Sequence, residues 1–271
     1  MDLLRWVLFG VLPAIAAMLL GVGVGGSRCL AIALAAAICV PFGMHIDWPG
    51  WPWDLDGWNG HPRRWLWWCL AAAGVLGTAY DLKWLPKWLA APLEVALVAF
   101  VPWFLSAPLR ASSSFEWCVV WLVAGWAAVF ATWYVLRGAG RAVPGMAVPL
   151  VGMLALGADA WLLRRHGANV AWEVSGVGAV ALLFAVATTL WRRPFVCGTG
   201  GALCITIAHA GLLWCGHGER DLRSTGFLLA LAVPLPLWLP LAGFFAESKQ
   251  TGLVLGVGGA IGLAGAVLFV G

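Results

Sequence analysis

The sequence predicts an all-α fold in which about ten helices cross a membrane and form a single transmembrane domain over residues 1–271. Three observations lead to this prediction. Hydrophobic residues make up 62% of the chain and charged residues 10%, whereas soluble domains are roughly half apolar and one quarter charged. The 20 tryptophans carry an apolar ring with one N–H donor, which suits the boundary between hydrocarbon and headgroups. Turn and charge signals divide the chain into apolar stretches of about 20 residues, the length that spans a bilayer.

Ten apolar stretches are predicted as membrane-spanning helices. In chain order they are Leu4 to Val24, Cys29 to Ile46, Trp65 to Tyr80, Trp88 to Ala107, Trp117 to Leu136, Val143 to Leu163, Val170 to Trp191, Phe195 to Cys215, Thr225 to Phe245 and Gly252 to Val270. They leave about 70 residues for ends and loops, which is too few for a domain outside the membrane. A division into two halves of five spans, 1–141 and 142–271, would give inverted repeats, because five is an odd number.

Composition also restricts the partners. The net charge of +4 is small and no basic patch occurs, so nucleic-acid binding is not expected. The seven cysteines lie in or beside apolar stretches without a C-x-x-C pair, and we interpret them as small packing residues. We expect no cofactor. We expect the chain in the lipid bilayer of a bacterial inner (plasma) membrane. Its expected partners there, besides lipid, are other membrane proteins or further copies of the chain.

The basic residues do not orient the bundle by the positive-inside rule. With ten spans, eight Lys and Arg residues fall on the face of the two termini and eight on the opposite face. All five histidines, and nine of the twelve acids, fall on or toward the face of the termini. The opposite face is therefore the more positive one, and we expect it in the cytoplasm.

The longest connection, from Asp47 to Arg64, contains several tryptophans among prolines and glycines. They are Trp48, Trp51, Trp53 and Trp58. Pro and Gly at this density exclude a regular helix, so we expect the loop to fold back along the membrane surface with its indoles in the headgroup region. The alternative is a platform that stacks sugars or binds lipid.

Side chains of the types that bind divalent cations occur in and beside the same loop. They are His45, Asp54, Asp56 and His61. Their spacing matches no metal motif, and the stretch from Asp54 to Gly57 lacks the further ligands of a calcium loop. A divalent metal site is therefore one hypothesis, and a solvated polar loop is the alternative.

Two ionisable residues are predicted to lie at nearly the same depth in the membrane. Asp159 is about sixteen residues into the sixth span and His209 about fourteen residues into the eighth, which places both roughly 21 to 24 Å from one face. They would meet if the two helices are neighbours, and would then suit a proton relay or a ligand with its supporting partner. Thr206 shares a helical face with His209 and extends the polar stripe. The alternative is that water satisfies Asp159 and a backbone carbonyl satisfies His209.

Glu94 lies within the fourth span, close to Pro92 and Pro102. Proline removes a backbone donor and clashes with the preceding turn, so we expect a kink or a break near the acid. The ninth span is interrupted in the same way by Pro234, Pro236 and Pro240. The fourth and ninth spans correspond in the two halves, and paired interrupted helices are typical of a transport site near the midplane. The alternative is two kinked packing helices without a substrate.

Two runs of small residues predict close helix packing. The first consists of steps of four near the C-terminus, Gly252 to Gly256 and Gly258 to Gly262. The second follows alternating steps of four and three in the eighth span: Cys197, Gly201, Cys204, Ala208, Gly211 and Cys215. Packing explains both runs without a ligand.

These features favour a small secondary transporter or channel, with Glu94, Asp159, His209 and Thr206 in the transport path or proton relay. A second hypothesis is a non-catalytic membrane subunit or scaffold whose glycine and tryptophan faces pack against proteins or lipids. A third is an intramembrane enzyme that uses the His and Asp groups. Neither G-x-S-x-G nor H-E-x-x-H occurs, and no lysine lies within a span to form a Schiff base with retinal.

The tryptophan loop gives a direct test of the surface prediction. A variant that retains only Trp48, Trp51, Trp53 and Trp58 should be quenched by lipids brominated near the headgroup, because its indoles lie at that depth. The measurement is intrinsic fluorescence in vesicles of brominated lipid. Fluorescence that shallow bromines leave unchanged would show that the loop is free in water.

Overall fold

The computed structural model of the protein describes residues 6–46, 62–105, 114–143, 145–191, 197–220, 224–242 and 248–270. Within these ranges the chain forms ten α-helices and no strand. They are α1 (Leu12–Gly25), α2 (Leu30–Ile46), α3 (Pro62–Asp81), α4 (Lys87–Leu105), α5 (Phe115–Ala142), α6 (Ala147–Arg165), α7 (Asn169–Trp191), α8 (Gly198–Arg220), α9 (Ser224–Ala232) and α10 (Lys249–Val270). A π-helical turn precedes α1 at Val7–Val11, and 3₁₀ segments follow α1 at Gly26–Cys29 and α9 at Leu235–Leu241.

Six helices are long and apolar enough to cross a membrane, as expected of a multi-pass membrane protein. Their apolar stretches are Lys87–Leu105, Phe115–Ala142, Ala147–Arg165, Val170–Thr188, Gly198–His217 and Lys249–Val270. Three apolar segments are shorter: Val7–Gly23, Leu30–Gly43 and Thr225–Leu241. Each predicted span therefore overlaps a helical segment of the fold, while ten membrane crossings and two inverted repeats remain predictions.

Helix α8 lies at the centre of the bundle. Every residue from 199 to 217 is buried. The helix packs against seven others, α2 to α7 and α9. A helix that is apolar all round is expected in such a position, because no face of it has to meet lipid headgroups or water. The polar side chains that α8 carries must then find partners inside the protein.

Small residues allow neighbouring helices to approach α8 closely. A Cβ atom added at Gly77 of α3 would lie 2.5 Å from the Cα of Gly200, so the two backbones touch at this crossing. Farther along the small-residue face, a Cβ at Gly201 would lie 2.9 Å from Leu30 of α2. The thiol of Cys204 donates to the carbonyl of Ala31, at 3.4 Å. The stripe of small residues in α8 is therefore a packing surface for α2 and α3.

The two glycine pairs of α10 differ in what they contact. A Cβ at Gly256 would lie 2.8 Å from the carbonyl oxygen of Pro236, in the 3₁₀ segment after α9. A Cβ at Gly258 or Gly262 would meet no atom within 4 Å. Only the first pair therefore packs within the described part of the chain, and the second lies on an open face of α10.

Prolines interrupt the ninth predicted span but not the fourth. The α-helix ends at Ala232, and Leu235–Leu241 continues as a 3₁₀ helix containing Pro236 and Pro240. In contrast, α4 runs without a break through Pro92 and Pro102. The helix is therefore not broken near Glu94, and the alternative of a kink there remains a prediction. Each of these prolines removes one backbone bond, and tertiary contacts support the turn, as where Trp126 donates its indole N–H to the carbonyl of Ala99 at 2.8 Å.

Helix α5 is longer than the span from Trp117 to Leu136 that the sequence predicts. It continues to Ala142, so Arg137 and Arg141 lie in its last turns and not in a loop. Basic residues near a helix C-terminus interact favourably with the helix dipole. The extension matters for function because it brings both guanidinium groups against the bundle.

The turn between α6 and α7 shows a sequence-encoded helix end. Gly167 has a φ of +74°, and Ala168 donates its backbone N–H to the carbonyl of Leu163 at 2.9 Å. This is the hydrogen-bond pattern of a helix that ends with glycine in the left-handed region. The short turn makes α6 and α7 an antiparallel, closely packed pair.

Some predicted residues lie outside the described part of the chain. They are the loop residues Trp48, Trp51, Trp53, Trp58, Asp54, Asp56 and His61. His45 belongs to α2, but its side chain is also outside the description. The surface loop and the metal hypothesis therefore remain predictions. Five of the seven cysteines are buried, as expected of packing residues.

Replacing Gly200 by Ala tests the close approach of α3 and α8. The added Cβ would lie 2.6 Å from the Cα of Gly77, and backbone atoms cannot move aside as a side chain can. We expect the substitution to lower the free energy of unfolding by about 1 to 3 kcal/mol. Thermal unfolding in detergent measures the change. The matched control is Gly157→Ala, whose Cβ meets no atom within 4 Å, and which should leave stability unchanged or slightly raised. Equal melting temperatures for the two variants would contradict the contact.

Candidate functional site

Charged side chains from neighbouring helices surround α8 at two levels. The first level is its N-terminus, where Asp81 at the end of α3 accepts hydrogen bonds from the backbone N–H groups of Thr199 and Gly200, both at 3.2 Å. The first N–H groups of a helix have no partner within the helix, and a carboxylate there is favoured by the helix dipole. Gly198, with a φ of +69°, leaves room for the carboxylate, since a Cβ at this position would lie 2.5 Å from Asp81 Oδ2. Asp81 thus caps α8 from another helix.

Arg141 of α5 ties this cap to its surroundings. Its Nε donates to the hydroxyl of Thr199 at 3.3 Å, and one of its terminal nitrogens donates to the hydroxyl of Tyr80 at 3.0 Å. Burial raises the pKa of the Asp81 carboxyl to about 6, while the bonds from Gly200 and Thr199 and the charge of Arg141 oppose the rise. A proton taken up by Asp81 near that pH would weaken its hold on the N-terminus of α8.

Glu94 forms an ion pair with Arg137 close to this level. Its carboxylate lies 3.0 Å from the guanidinium group, and the side chains are 1% and 20% exposed, respectively. The guanidinium also lies over the ring of Trp133, 4.8 Å from its centroid. Glu94 therefore has the partner that its depth in an apolar helix requires, and α4 and α5 are joined by a charged contact inside the bundle.

Asp159 of α6 and His209 of α8 form the second level. His209 Nδ1 lies 2.7 Å from Asp159 Oδ2, and both side chains are completely buried. With the carboxylate ionised, the imidazole N–H is the donor. The levels are about 15 Å apart along α8, from Thr199 to His209. The structure thus places together the two residues whose depths are nearly equal.

The Asp159–His209 pair retains unused hydrogen-bonding capacity. Among the residues that the structure describes, none is hydrogen-bonded to Asp159 Oδ1 or to His209 Nε2. A buried polar atom without a partner has a desolvation cost of about 1 to 3 kcal/mol, and more when the group is charged. Other buried side chains, such as Thr132 and Ser175, also have a polar atom without a hydrogen-bond partner among the described residues. The Asp159–His209 pair differs from them because both of its side chains are ionisable and lie within membrane helices.

Apolar side chains close the site above and below. One turn to either side of His209 on α8 lie Ile205 and Leu213, and one turn to either side of Asp159 on α6 lie Ala155 and Leu163. All four are fully buried. The pair is therefore enclosed between two apolar layers in this conformation.

Thr206 does not extend the polar stripe to the histidine. Its hydroxyl donates to the carbonyl of Ala202 at 2.9 Å, within α8 itself. Threonine in a helix often makes this bond to the preceding turn. At the far end of α8, His217 stacks on Phe227 of α9, with ring centroids 4.9 Å apart, and lies equally close to Trp121 of α5.

The sequence analysis missed Asp81, Arg137 and Arg141 as members of the polar clusters. The two arginines are four residues apart, so they share one face of α5, and a longer predicted helix would have shown this. No sequence pattern around Asp81 indicates its role, because whether a carboxylate caps a different helix depends on the tertiary packing alone.

Two apolar grooves on the described part of the chain lie away from both charged levels. One groove of about 540 Å³ runs along α4 and α5 and is lined by apolar residues that include Trp103 and Trp126. Another, of about 490 Å³, lies between α6, α7 and α10. Within the described ranges, no group of three or more His, Cys, Asp or Glu side chains is placed to hold a metal ion.

Comparison with known proteins provides no assignment. No protein-family model matches the chain, and no curated protein is significantly similar to it. Any function must therefore be argued from the site itself.

The Glu94–Arg137 pair predicts a specific pattern in a double-mutant cycle. Glu94→Gln and Arg137→Gln should each lower the free energy of unfolding by about 1 to 3 kcal/mol, because each leaves one buried charge without its partner, although Arg137 reaches the surface in part. The double variant should recover most of the loss, since it buries no unpaired charge. Thermal unfolding of the four proteins measures the coupling. Additive losses would show that the pair contributes nothing to stability.

Proposed function

We propose that this chain is a small secondary transporter of the bacterial inner membrane, in which Asp159 and His209 bind the coupling proton. The observation that supports it is the completely buried contact between Asp159 of α6 and His209 of α8, at 2.7 Å. Ionisable residues within membrane helices are costly, and chains of Asp, Glu and His are the usual proton carriers of pumps and transporters. Histidine suits this role because its unperturbed pKa lies near neutrality.

The unused atoms of the pair support a binding role over a purely structural one. A pair that served packing alone would be expected to have both partners fully hydrogen-bonded. Here Asp159 Oδ1 and His209 Nε2 have no hydrogen-bond partner among the described residues. They are the atoms through which a proton, a water molecule or a polar substrate group would be held.

The apolar layers fit the occluded state of an alternating-access cycle. Ile205 and Ala155 lie on one side of the pair and Leu163 and Leu213 on the other. In the proposed cycle each layer opens in turn toward one face of the membrane, so that the pair exchanges its proton with only one side at a time.

The charged contacts at the N-terminus of α8 supply the proposed gate on that side. Asp81 and Arg141 hold α3 and α5 to the first turn of α8, and Glu94 and Arg137 hold α4 to α5. Opening toward that face requires at least one of these contacts to break. In this proposal Glu94 belongs to the gate.

A second candidate, a membrane subunit without transport activity, is favoured by the open face of α10. Gly258 and Gly262 are four residues apart and accessible, which is the spacing that lets two membrane helices pack closely. In that case Asp159 and His209 would fix the register of α6 against α8 and would never open to water.

Cysteine accessibility on either side of His209 distinguishes the two candidates. Ile205→Cys and Leu213→Cys, each in a background without the native cysteines, lie one turn on either side of the histidine. For a transporter, we expect a membrane-impermeant thiol reagent to label one position from one side of proteoliposomes and the other position from the opposite side. Both positions remaining unlabelled in the folded protein would contradict the transporter and favour the subunit.

The control for the proton site is Thr206, whose hydroxyl is bound within its own helix. In vesicles containing a pH-sensitive dye, addition of a transported solute should produce proton movement with the native protein and with Thr206→Val. His209→Gln and Asp159→Asn should abolish it while the protein remains folded. Because the solute is unknown, amino acids, sugars, organic acids and cations are screened first. A transported solute whose proton movement survives in both site variants would exclude the pair as the coupling site.

A further inference from the structure

The outer face of α6 carries an apolar groove and, farther along the helix, a cationic pocket. The groove, about 490 Å³ in volume, is lined on α6 by residues that include Leu154 and Gly157, and by side chains of α7 and α10. The pocket, about 360 Å³, is lined by Trp161, Arg164 and Arg165. Volumes of this size are typical of small-molecule sites, roughly 300 to 1,000 Å³.

The groove and the pocket lie on the same side of α6. At 100° per residue, Leu154, Gly157, Trp161 and Arg164 all fall within a narrow sector of the helix. That sector points away from Asp159, which faces α8. The two cavities therefore follow one another along a single face of α6, outside the proposed proton site.

The length of this surface matches one leaflet of a bilayer. From Met153, in the groove, to Arg165, in the pocket, the helix rises about 18 Å. Half of the hydrocarbon thickness is about 15 Å, so a chain in the groove would have its headgroup at the level of the arginines. Trp161 lies between them, where a tryptophan at the boundary of hydrocarbon and headgroups is expected.

The cationic end is available to an anion. In the part of the chain that the structure describes, the ion pairs involve neither Arg164 nor Arg165. The guanidinium of Arg164 lies over the ring of Trp172 of α7, 5.5 Å from its centroid, and the ring of Trp6 lies 6.4 Å from that of Trp172. This stacking holds one of the two guanidinium groups in place, and it leaves the edges of a planar donor group free to bind phosphate oxygens.

Glycines keep the groove open. A Cβ atom at Gly157 of α6 or at Gly265 of α10 would meet no protein atom within 4 Å. Both residues line the groove. A larger side chain at either position would fill space that is accessible from outside the bundle without displacing any protein atom.

We propose that this surface binds a phospholipid with an anionic headgroup, whose acyl chain lies in the groove and whose phosphate is held by Arg164 and Arg165. The charge of the pocket, the apolar lining of the groove and their order along α6 select this class of lipid over a zwitterionic one. The site is separate from the proposed proton pair and does not depend on transport.

Native mass spectrometry of the delipidated protein tests the headgroup. Phosphatidylglycerol should bind more tightly than phosphatidylcholine with the same acyl chains. The double variant Arg164→Gln/Arg165→Gln should raise the dissociation constant for phosphatidylglycerol by roughly thirtyfold and remove the preference, because each basic residue near the membrane surface contributes about a fivefold factor or more. Equal affinity of the native protein for the two lipids would overturn the proposal.

A second set of variants tests the groove. Gly157→Leu should lower the affinity for both lipids, because the leucine side chain fills the space of the acyl chain. The preference for phosphatidylglycerol should remain, because the arginines stay in place. Gly265→Leu provides the same test from α10 should the first variant be unstable. The matched control is Gly23→Leu, an exposed position of α1 where a Cβ also meets no atom within 4 Å, and it should bind lipid as the native protein does.

Two further results would exclude the lipid site. If Gly23→Leu and Gly157→Leu lower the lipid affinity equally, lipid binds the whole apolar surface and not this groove. Inorganic phosphate that binds as tightly as phosphatidylglycerol would show that the arginines hold a free anion and that the groove contributes nothing.

Discussion

The burial of α8 is the constraint on which the rest of the structure depends. A helix packed against seven others is shielded from water and headgroups, so its polar groups depend on partners inside the protein. Asp81 does this for the N-terminal N–H groups, and Asp159 does it for His209. The same enclosure requires small side chains where helices cross, as between Gly77 and Gly200. Close packing and polar pairing are therefore two consequences of the position of one helix.

The positions of the helices were predictable because the thickness of a membrane fixes the length of an apolar span. The similar depth of Asp159 and His209 was predictable for a related reason, since a constant rise per residue converts sequence position into depth. The partner of Glu94 was not predictable, because Arg137 lies near the end of α5 and only the tertiary arrangement brings it to α4. The cap formed by Asp81 is of the same kind. The sequence gives the depth of a residue in the membrane and the face of the helix on which it lies, but not which helices are neighbours.

The positions of the prolines explain why the ninth predicted span is interrupted and the fourth continues as one helix. In the ninth span, Pro234, Pro236 and Pro240 remove three backbone donors within seven residues, so successive turns lose their bonds and the chain continues as a 3₁₀ helix. In α4, ten residues separate Pro92 from Pro102, and intact turns lie between them. Isolated prolines are tolerated in membrane helices because the helix is held by its neighbours. The spacing of prolines, more than their number, decides the outcome.

Helix α6 contributes residues to both the proposed proton site and the proposed lipid site. One of its faces carries Asp159 toward His209, and the opposite face carries Gly157, Trp161 and Arg164 toward the membrane. If the proton site opens by a movement of α6 relative to α7 and α10 as well as to α8, the groove between α6, α7 and α10 changes shape in the same step. A lipid that fits the groove in the enclosed conformation would then favour that conformation by its difference in affinity for the two states, and the lipid and the proton would influence each other's binding reciprocally.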